Sequence, residues 1–323
     1  TVPEPDVLSR SINAVTGLQA YTAEQAVSMS LSPNGLDVPA LWDRKKRMIS
    51  ETPGLSVYRG GETFKDVAGY KNVTTFLRRV IDGKLPPNAV VFVDEIEKAI
   101  AGAGSDTSGV SQSLLGTMLS WMQDREAAGI IAIGPPGSAK SLVAKATGGE
   151  AGIPTIQFDL SGMKASLVGQ SEERLRVALT VVDAVAQGNA LFIATCNAIT
   201  ALPPELRRRF KFGTFFFDLP DATERAMIWK MYLARYELED DPKSIPGACD
   251  GWTGAEIKQC AELAWRLNCT LADASTYIVP VSVSAADAID KLRAEAHGRF
   301  TSANYPGHYE RGKGTASEPG PKR

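Results

Sequence analysis

The stretch Gly134-Pro-Pro-Gly-Ser-Ala-Lys140-Ser141 follows an apolar run, GIIAIG, and opens the helix-like segment SLVAKATGG. A strand, a glycine-rich loop and a helix start, in that order, make a phosphate site. Backbone N–H groups of such a loop point inward and cradle phosphates at a helix N-terminus. Lys140 is placed to reach the outer phosphates and the Ser141 hydroxyl to hold Mg²⁺. Gly134, Pro135, Pro136, Gly137, Ser138, Ala139, Lys140 and Ser141 are therefore the expected nucleotide-binding loop. Ala139 stands where the pattern has glycine. If its backbone takes a positive φ, the methyl group costs roughly 1 kcal/mol.

Asp94 and Glu95 close a second apolar run, Ala89 to Val93. Carboxylates at the carboxyl end of a buried strand stand where ligands bind in parallel sheets. The expected division is Asp94 as a Mg²⁺ ligand through its water shell and Glu95 as base for an attacking water. Asn197 ends a further apolar run, LFIATCNA. It reads either as a group that positions that water or as a loop cap. Arg207, Arg208 and Arg209, in LPPELRRRF, read equally as a solvated surface run or as a finger supplied to a neighbour's ATP.

Those residues need elements to hold them. The apolar runs in PPNAVVFVDEIEK, GIIAIG, PTIQFDL, ALFIATCNA and TFFFDLP predict five strands. Helical segments between them predict a parallel sheet covered on both faces, an α/β class. Leu114, Leu115, Met118, Leu119 and Met122 recur at helical spacing and are expected core residues. AGAGSDTSG before them reads as flexible. After Pro220 the pattern is wholly helical. The expected division is an accessory helical region and linker over 1–60, the α/β domain over 61–220, a small helical lid over 221–308 and a solvated tail over 309–323. In the first region Thr22, with Gln25 three residues on, reads as a helix cap, and ETPGLSVYRGGE as a Gly/Pro linker.

Composition is that of an ordinary folded chain: 323 residues, 44% hydrophobic, 22% charged, net charge −2. That balance argues against non-specific nucleic-acid wrapping. No apolar run reaches the ~18 residues of a membrane span, and TVPEPDVLSR has no basic stretch followed by an apolar one, so no secretory signal is expected. Four cysteines and two histidines make no metal-ligand spacing. A reducing, cytoplasmic compartment is the expectation.

GPPGSAKS, VVFVDE, IATCNA, LPPELRRRF, FFFDLPDATER and TGAEIKQ together resemble the motifs of AAA (AAA+) ATPases, in the clade that includes FtsH and the proteasomal ATPases. The region ahead of them resembles bacterial, plastid and phage relatives. The resemblance implies a P-loop NTPase fold with a helical lid, ATP/ADP and Mg²⁺ as ligands, a homo-oligomeric, hexameric ring, and a protein substrate or adaptor. By position it gives Lys140 and Ser141 the Walker A roles, Asp94 and Glu95 those of Walker B, and Asn197 that of sensor 1. Arg208 and Arg209 fall in the arginine-finger region, with its usual spacing contracted. TFKDVAGYKN, through Val67 and Ala68, is similar to the segment lining the adenine pocket, and Gly254 and Ala255 to the lid helix start that touches the adenosine. Leu167-Val168-Gly169 resembles the central pore loop, with leucine where many relatives have an aromatic; Lys164 is expected nearby.

One departure is large. In that family the strand with the paired carboxylates follows the phosphate loop; here it precedes it. Spatial strand order need not follow sequence order, so the expectation is a rewired but spatially ordinary sheet, 5-1-4-3-2 in the family's strand labels, with Asp94 beside the loop. Three functions follow: an ATP-driven oligomeric remodeller, a nucleotide-binding scaffold or phage assembly factor with little turnover, and, with no basic-aromatic interleaving to support it, a DNA-directed motor.

Overall fold

The computed structural model describes residues 4–15, 20–33, 35–101, 110–160, 163, 170–245 and 249–313. Its strands are β1 (Leu55–Val57), β2 (Ala89–Val93), β3 (Ala128–Ile133), β4 (Thr155–Phe158), β5 (Ala190–Cys196), β6 (Thr214–Phe216) and β7 (Thr301–Ser302). They form one seven-stranded sheet in the order β1-β4-β2-β5-β3-β6-β7. All neighbours are parallel except β1, which runs antiparallel to β4. A separate two-residue hairpin pairs Leu31–Ser32 with Gly35–Leu36.

The five central strands take the expected spatial order. β2 comes before β3 in sequence, yet β5 alone separates the two in the sheet. Their carboxyl ends therefore share one edge, which brings Asp94 to the loop after β3. The sheet has seven strands rather than five. The first addition, β1, lies inside the expected linker, where an alternation of only three residues between Gly54 and Gly60 hides it. The other, β7, lies in what was expected to be lid.

Period-two burial shows why these runs are strands. Ala89, Val91 and Val93 face one core with Phe192 and Ala194, while Val90 and Phe92 face another with Leu191 and Ile193. Both faces are covered, so the runs are unbroken apolar sequence. The first face carries α6 (Val110–Asp124), α8 (Gln170–Ala186) and α14 (Ala286–Ala296). Leu114, Met118 and Met122 are buried there and Leu119 packs against them, whereas the Leu115 side chain lies outside the described residues. The second face carries α4 (Lys71–Ile81) and α7 (Lys140–Ala151).

A third core joins α10 (Ala222–Tyr236), α11 (Gly254–Leu267) and α12 (Leu271–Ser275) around Trp229, Trp252 and Ile257. Capping boxes start the two long helices: Asp221 with Glu224, and Thr253 with Glu256. Glu224 also accepts from Tyr70 N–H at 3.3 Å and from Asn304 Nδ2 at 2.7 Å, tying the helical layer to the sheet domain. Phe300, Ala303 and Tyr309 are buried in the sheet cores, and Tyr309 donates to Asp218 Oδ2 at 2.6 Å. The chain's end thus returns to the sheet; Tyr309 begins no solvated tail, because its ring packs on Phe216 at 4.3 Å.

In the first region α1 (Pro5–Val15), α2 (Ala20–Ser28) and α3 (Val38–Glu51) pack around Ala14, Ala26 and Leu41. α2 starts at Ala20, so Thr22 is inside it and not its cap; Gln25 Nε2 instead donates to the Tyr21 hydroxyl one turn away. Among the described residues no helix is long and apolar enough to cross a membrane.

Candidate active site

A cleft of about 390 Å³ opens where the carboxyl ends of β2, β3 and β5 meet the helical layer. Its sheet wall carries Asp94, Glu95, Thr195, Asn197 and Pro136 to Leu142; its helical wall carries Ile228, Met231, Tyr232, Gly254, Ala255 and Lys258. This size suits a small-molecule site.

The loop from Gly134 to Ala139 wraps the start of α7. Gly134 approaches the Phe217 backbone too closely for any side chain, and Gly137 has φ 78° with its Cα against Thr253 of the helical wall. Ala139 has φ 56° and ψ 14°, the left-handed conformation that disfavours a methyl group. Lys140 folds back over the loop. Its Nζ donates to Gly134 O at 2.8 Å, Pro135 O at 2.6 Å and the Ser138 hydroxyl at 3.2 Å. Burial pushes its pKa down to about 8, against the opposing pull of Glu97, Cys196, Asp94 and Glu95.

The two carboxylates are fixed by a chain of hydrogen bonds across three elements. Ser141 Oγ donates to Asp94 Oδ1 at 2.9 Å, and Thr195 Oγ1 donates to the same oxygen at 2.6 Å. Thr195 Oγ1 in turn accepts from Glu95 N–H at 2.9 Å. Glu95 has φ 47°, a strained backbone that turns its side chain off the strand end. One Glu95 oxygen accepts from Asn197 Nδ2 at 3.2 Å and the other pairs with Lys98. Lys98 is consequently held above its ordinary pKa, chiefly by the hydrogen bond to Glu95. Asn197 N–H donates to Glu97 Oε1 at 3.0 Å. Beneath them burial, with the Glu97 charge adding, pushes the Cys196 thiol up to about 12, so it stays a neutral packing group.

Ser141 Oγ and Asp94 Oδ1 are hard oxygen donors within one hydrogen-bond length. That chemistry fits Mg²⁺, which takes one or two protein oxygens and keeps waters and phosphate oxygens for the rest. The loop, the buried lysine and a half-apolar helical wall fit a nucleotide.

Of the sequence-predicted residues, Pro136 to Ser141, Asp94, Glu95, Asn197, Ala68, Gly254 and Ala255 line the cleft. Gly134 and Pro135 contribute carbonyls to Lys140 from beneath it. Val67 does not line it: in the extended backbone there, neighbouring side chains diverge, and Val67 is buried in the second core while Ala68 faces the cleft. Arg208 and Arg209 lie on α9 (Pro204–Arg209), away from this chain's own cleft. Arg208 is exposed. Leu167, Val168, Gly169 and Lys164 lie outside the described residues.

Sequence reading missed Thr195, Tyr70, Lys98 and the apolar helical wall. Thr195 had a signal: it lies two residues before Asn197 on a strand, so both project to one face. Lys98 and Glu97 stand in DEIEK beside the acids already singled out.

Residues 130–187 match the model of the ATPase family associated with various cellular activities (AAA). The uncharacterized AAA domain-containing protein ycf46 of Gracilaria tenuistipitata var. liui is 31% identical over 175 residues, 41% of this chain and 36% of that protein. The ATP-dependent zinc metalloprotease FtsH of Rhodothermus marinus is 26% identical over 42% of this chain and 26% of its own length. The chloroplastic FTSH 7 of Arabidopsis thaliana is 27% identical over 79% of this chain and 35% of that protein. The chain thus spans only about a third of the length of the ycf46 relatives it matches (36% for Gracilaria). Among solved structures the FIGL-1 AAA domain matches 78% of this chain and 95% of that one, at 16% identity and TM-score 0.46.

Proposed function

We propose that this AAA-domain P-loop fold hydrolyses ATP within an oligomeric ring, hexameric by kinship, and spends the turnover on remodelling or threading a protein substrate. The observation that carries the reading is the Ser141 Oγ to Asp94 Oδ1 contact of 2.9 Å. It joins the phosphate loop to a carboxylate pair that precedes it by 47 positions in sequence, so the permuted Walker B segment serves the loop after it. Similarity to ATP-dependent FtsH proteins supports the same reading.

In this reading Lys140 gives up its loop carbonyls to hold the outer phosphates. Asp94 and Ser141 hold Mg²⁺, which when bound neutralises phosphate charge. Glu95 takes a proton from the attacking water, and Asn197 keeps that carboxylate aimed. Ala68, Gly254 and Ala255 face the base and sugar, with Val67 supporting from behind. Arg208, exposed on α9, and Arg209 beside it serve the neighbouring subunit's ATP. Leu167, Val168 and Gly169 grip substrate at the ring's centre. A reducing, cytoplasmic setting belongs to the same reading.

A second reading, a nucleotide-held scaffold with little turnover, has specific support. Ala139 occupies a left-handed position, and Glu95 is tied to Lys98. The experiment that separates the two is ATP hydrolysis per subunit measured against protein concentration, with Arg208→Ala and Arg209→Ala alongside. A rate that rises with concentration and falls in either variant supports the composite ring site. Firm ATP binding with a flat background rate contradicts turnover and leaves the scaffold.

A further inference from the structure

Beyond the cleft, two adjoining cavities open at the other end of α7, between the first region and the sheet edge. The larger, about 290 Å³, is walled by Trp42 and Lys46 of α3, Tyr58 and Arg59 just after β1, and Lys145 and Gly149 of α7. The smaller, about 90 Å³, shares Trp42 with it and adds Lys45 and Asn88. Among the described residues no carboxylate lines either cavity. Asp43 lies 3.4 Å from Lys46, and Glu62 accepts from the Tyr58 hydroxyl at 2.7 Å.

Three cations thus converge on one hollow. Lys145 Nζ stands 4.8 Å from the Tyr58 ring centre and 5.9 Å from that of Phe92, so two aromatic faces fix its position. Neither Lys145 nor Arg59 forms an ion pair among the described residues. Cations are favoured at a helix C-terminus, but that effect is confined to the last turn, and Lys145 stands before the last turn of α7. Lys46 already has Asp43 beside it; a bound anion would supply the counter-charge that Lys145 and Arg59 lack. Arg59 offers the planar fork that matches a phosphate, and the lysines add point charges. Gly149 is packed directly against the Glu62 carbonyl, so no side chain fits at that edge of the cavity.

We propose that this cavity is a second anion site, separate from the phosphate-loop cleft, that takes a phosphate-bearing small molecule no larger than a mononucleotide. It makes contact with α7, the helix that carries Lys140, from the opposite end.

The test uses the full chain saturated with ADP, titrated with inorganic pyrophosphate, AMP and an acidic hexapeptide in turn, with tryptophan fluorescence and calorimetry as readouts. The prediction is saturable binding of pyrophosphate and AMP, weakened roughly 10-fold or more by Arg59→Ala and by Lys145→Gln. Lys140→Ala, titrated without ADP, retains it, which keeps this outcome independent of the ATPase reading. Trp42→Phe removes the fluorescence change but not the calorimetric one. AMP tighter than pyrophosphate identifies the ligand as a nucleotide, and equal affinity identifies it as the phosphate group alone. Absence of saturable binding, loss of binding in Lys140→Ala, or the peptide binding tighter than either phosphate compound overturns the proposal.

Discussion

The two walls of the cleft are built by different means. On the sheet wall the two acids are held by groups from other strands and helices: Ser141 and Thr195 on Asp94, Thr195 under the Glu95 amide, Asn197 on Glu95. The helical wall presents Ile228, Met231, Tyr232, Gly254 and Ala255, with Lys258 as its charged member. Its own polar network is spent on holding itself together, as in the Thr253–Glu256 box and the bond from Val281 N–H to Glu256 at 2.5 Å. A wall of fixed charges suits chemistry, which needs preorganised dipoles. A wall of apolar contact suits gripping a base and shifting against the sheet when the ligand changes. If that division is right, sheet-wall substitutions act on turnover and helical-wall substitutions act on affinity.

The largest expected effect is Lys140→Ala. Removing the one buried cation of the loop is predicted to weaken ADP binding by roughly 10- to 100-fold or more, measured by calorimetry; unchanged affinity would detach the loop from nucleotide altogether. Thr195→Val comes next. It keeps the shape of the side chain and removes both of its hydrogen bonds, so turnover is predicted to fall about 10-fold with ADP affinity nearly unchanged. Equal losses in both would erase the contrast between the walls.

A pH effect sharpens the same wall. Lys140 in the empty protein has its pKa lowered to about 8, and phosphates in the loop favour its charged form. Below that value it is already charged and ADP binding takes up no proton there. Above it, binding takes up a proton and affinity falls as pH rises. Calorimetry in buffers of different ionisation heat, at about pH 7 and about pH 9, checks the sign. The same lowered pKa makes Lys140 a destabilising group that is fully so below about 8 and is relieved as pH rises towards its unfolded value of 10.5. The smallest effect is Ala139→Gly. Relief of the left-handed methyl, partly offset by a more flexible unfolded chain, is predicted to stabilise by about 0.5–1 kcal/mol in denaturant unfolding. A destabilised variant would mean that the methyl contributes packing, and Ala139 does pack against the second core.

The strands and the loop were legible because burial on both faces forces unbroken apolar runs, and because a phosphate loop has a spacing of its own. The spatial strand order was legible too: β2 and β3 flank β5 although β2 comes first in the chain. Other features had no local signature. β1 has three residues, β7 two, and their identity as strands comes entirely from their neighbours in the sheet. The return of Phe300 to Tyr309 onto the sheet is a long-range event in a segment that the sequence assigns to the helical lid and the start of the tail. Lys98 on Glu95 is a three-residue neighbour whose role depends on the positive φ of Glu95, which no propensity for glutamate would suggest. Val67 and Ala68 both read as cleft residues, yet only Ala68 faces it, because the facing of an extended segment is set by what it packs on.

Glu95 is proposed to serve a phosphate loop that comes later in the chain. Steady-state ATP hydrolysis and ADP affinity of Glu95→Gln, measured side by side with the wild-type chain, test it most directly. The expected result is ADP affinity within a few-fold of the original and hydrolysis reduced by about 100-fold or more. Hydrolysis at the wild-type rate in that variant would show that the early strand is not the acid strand of this site, however close Asp94 lies to Ser141.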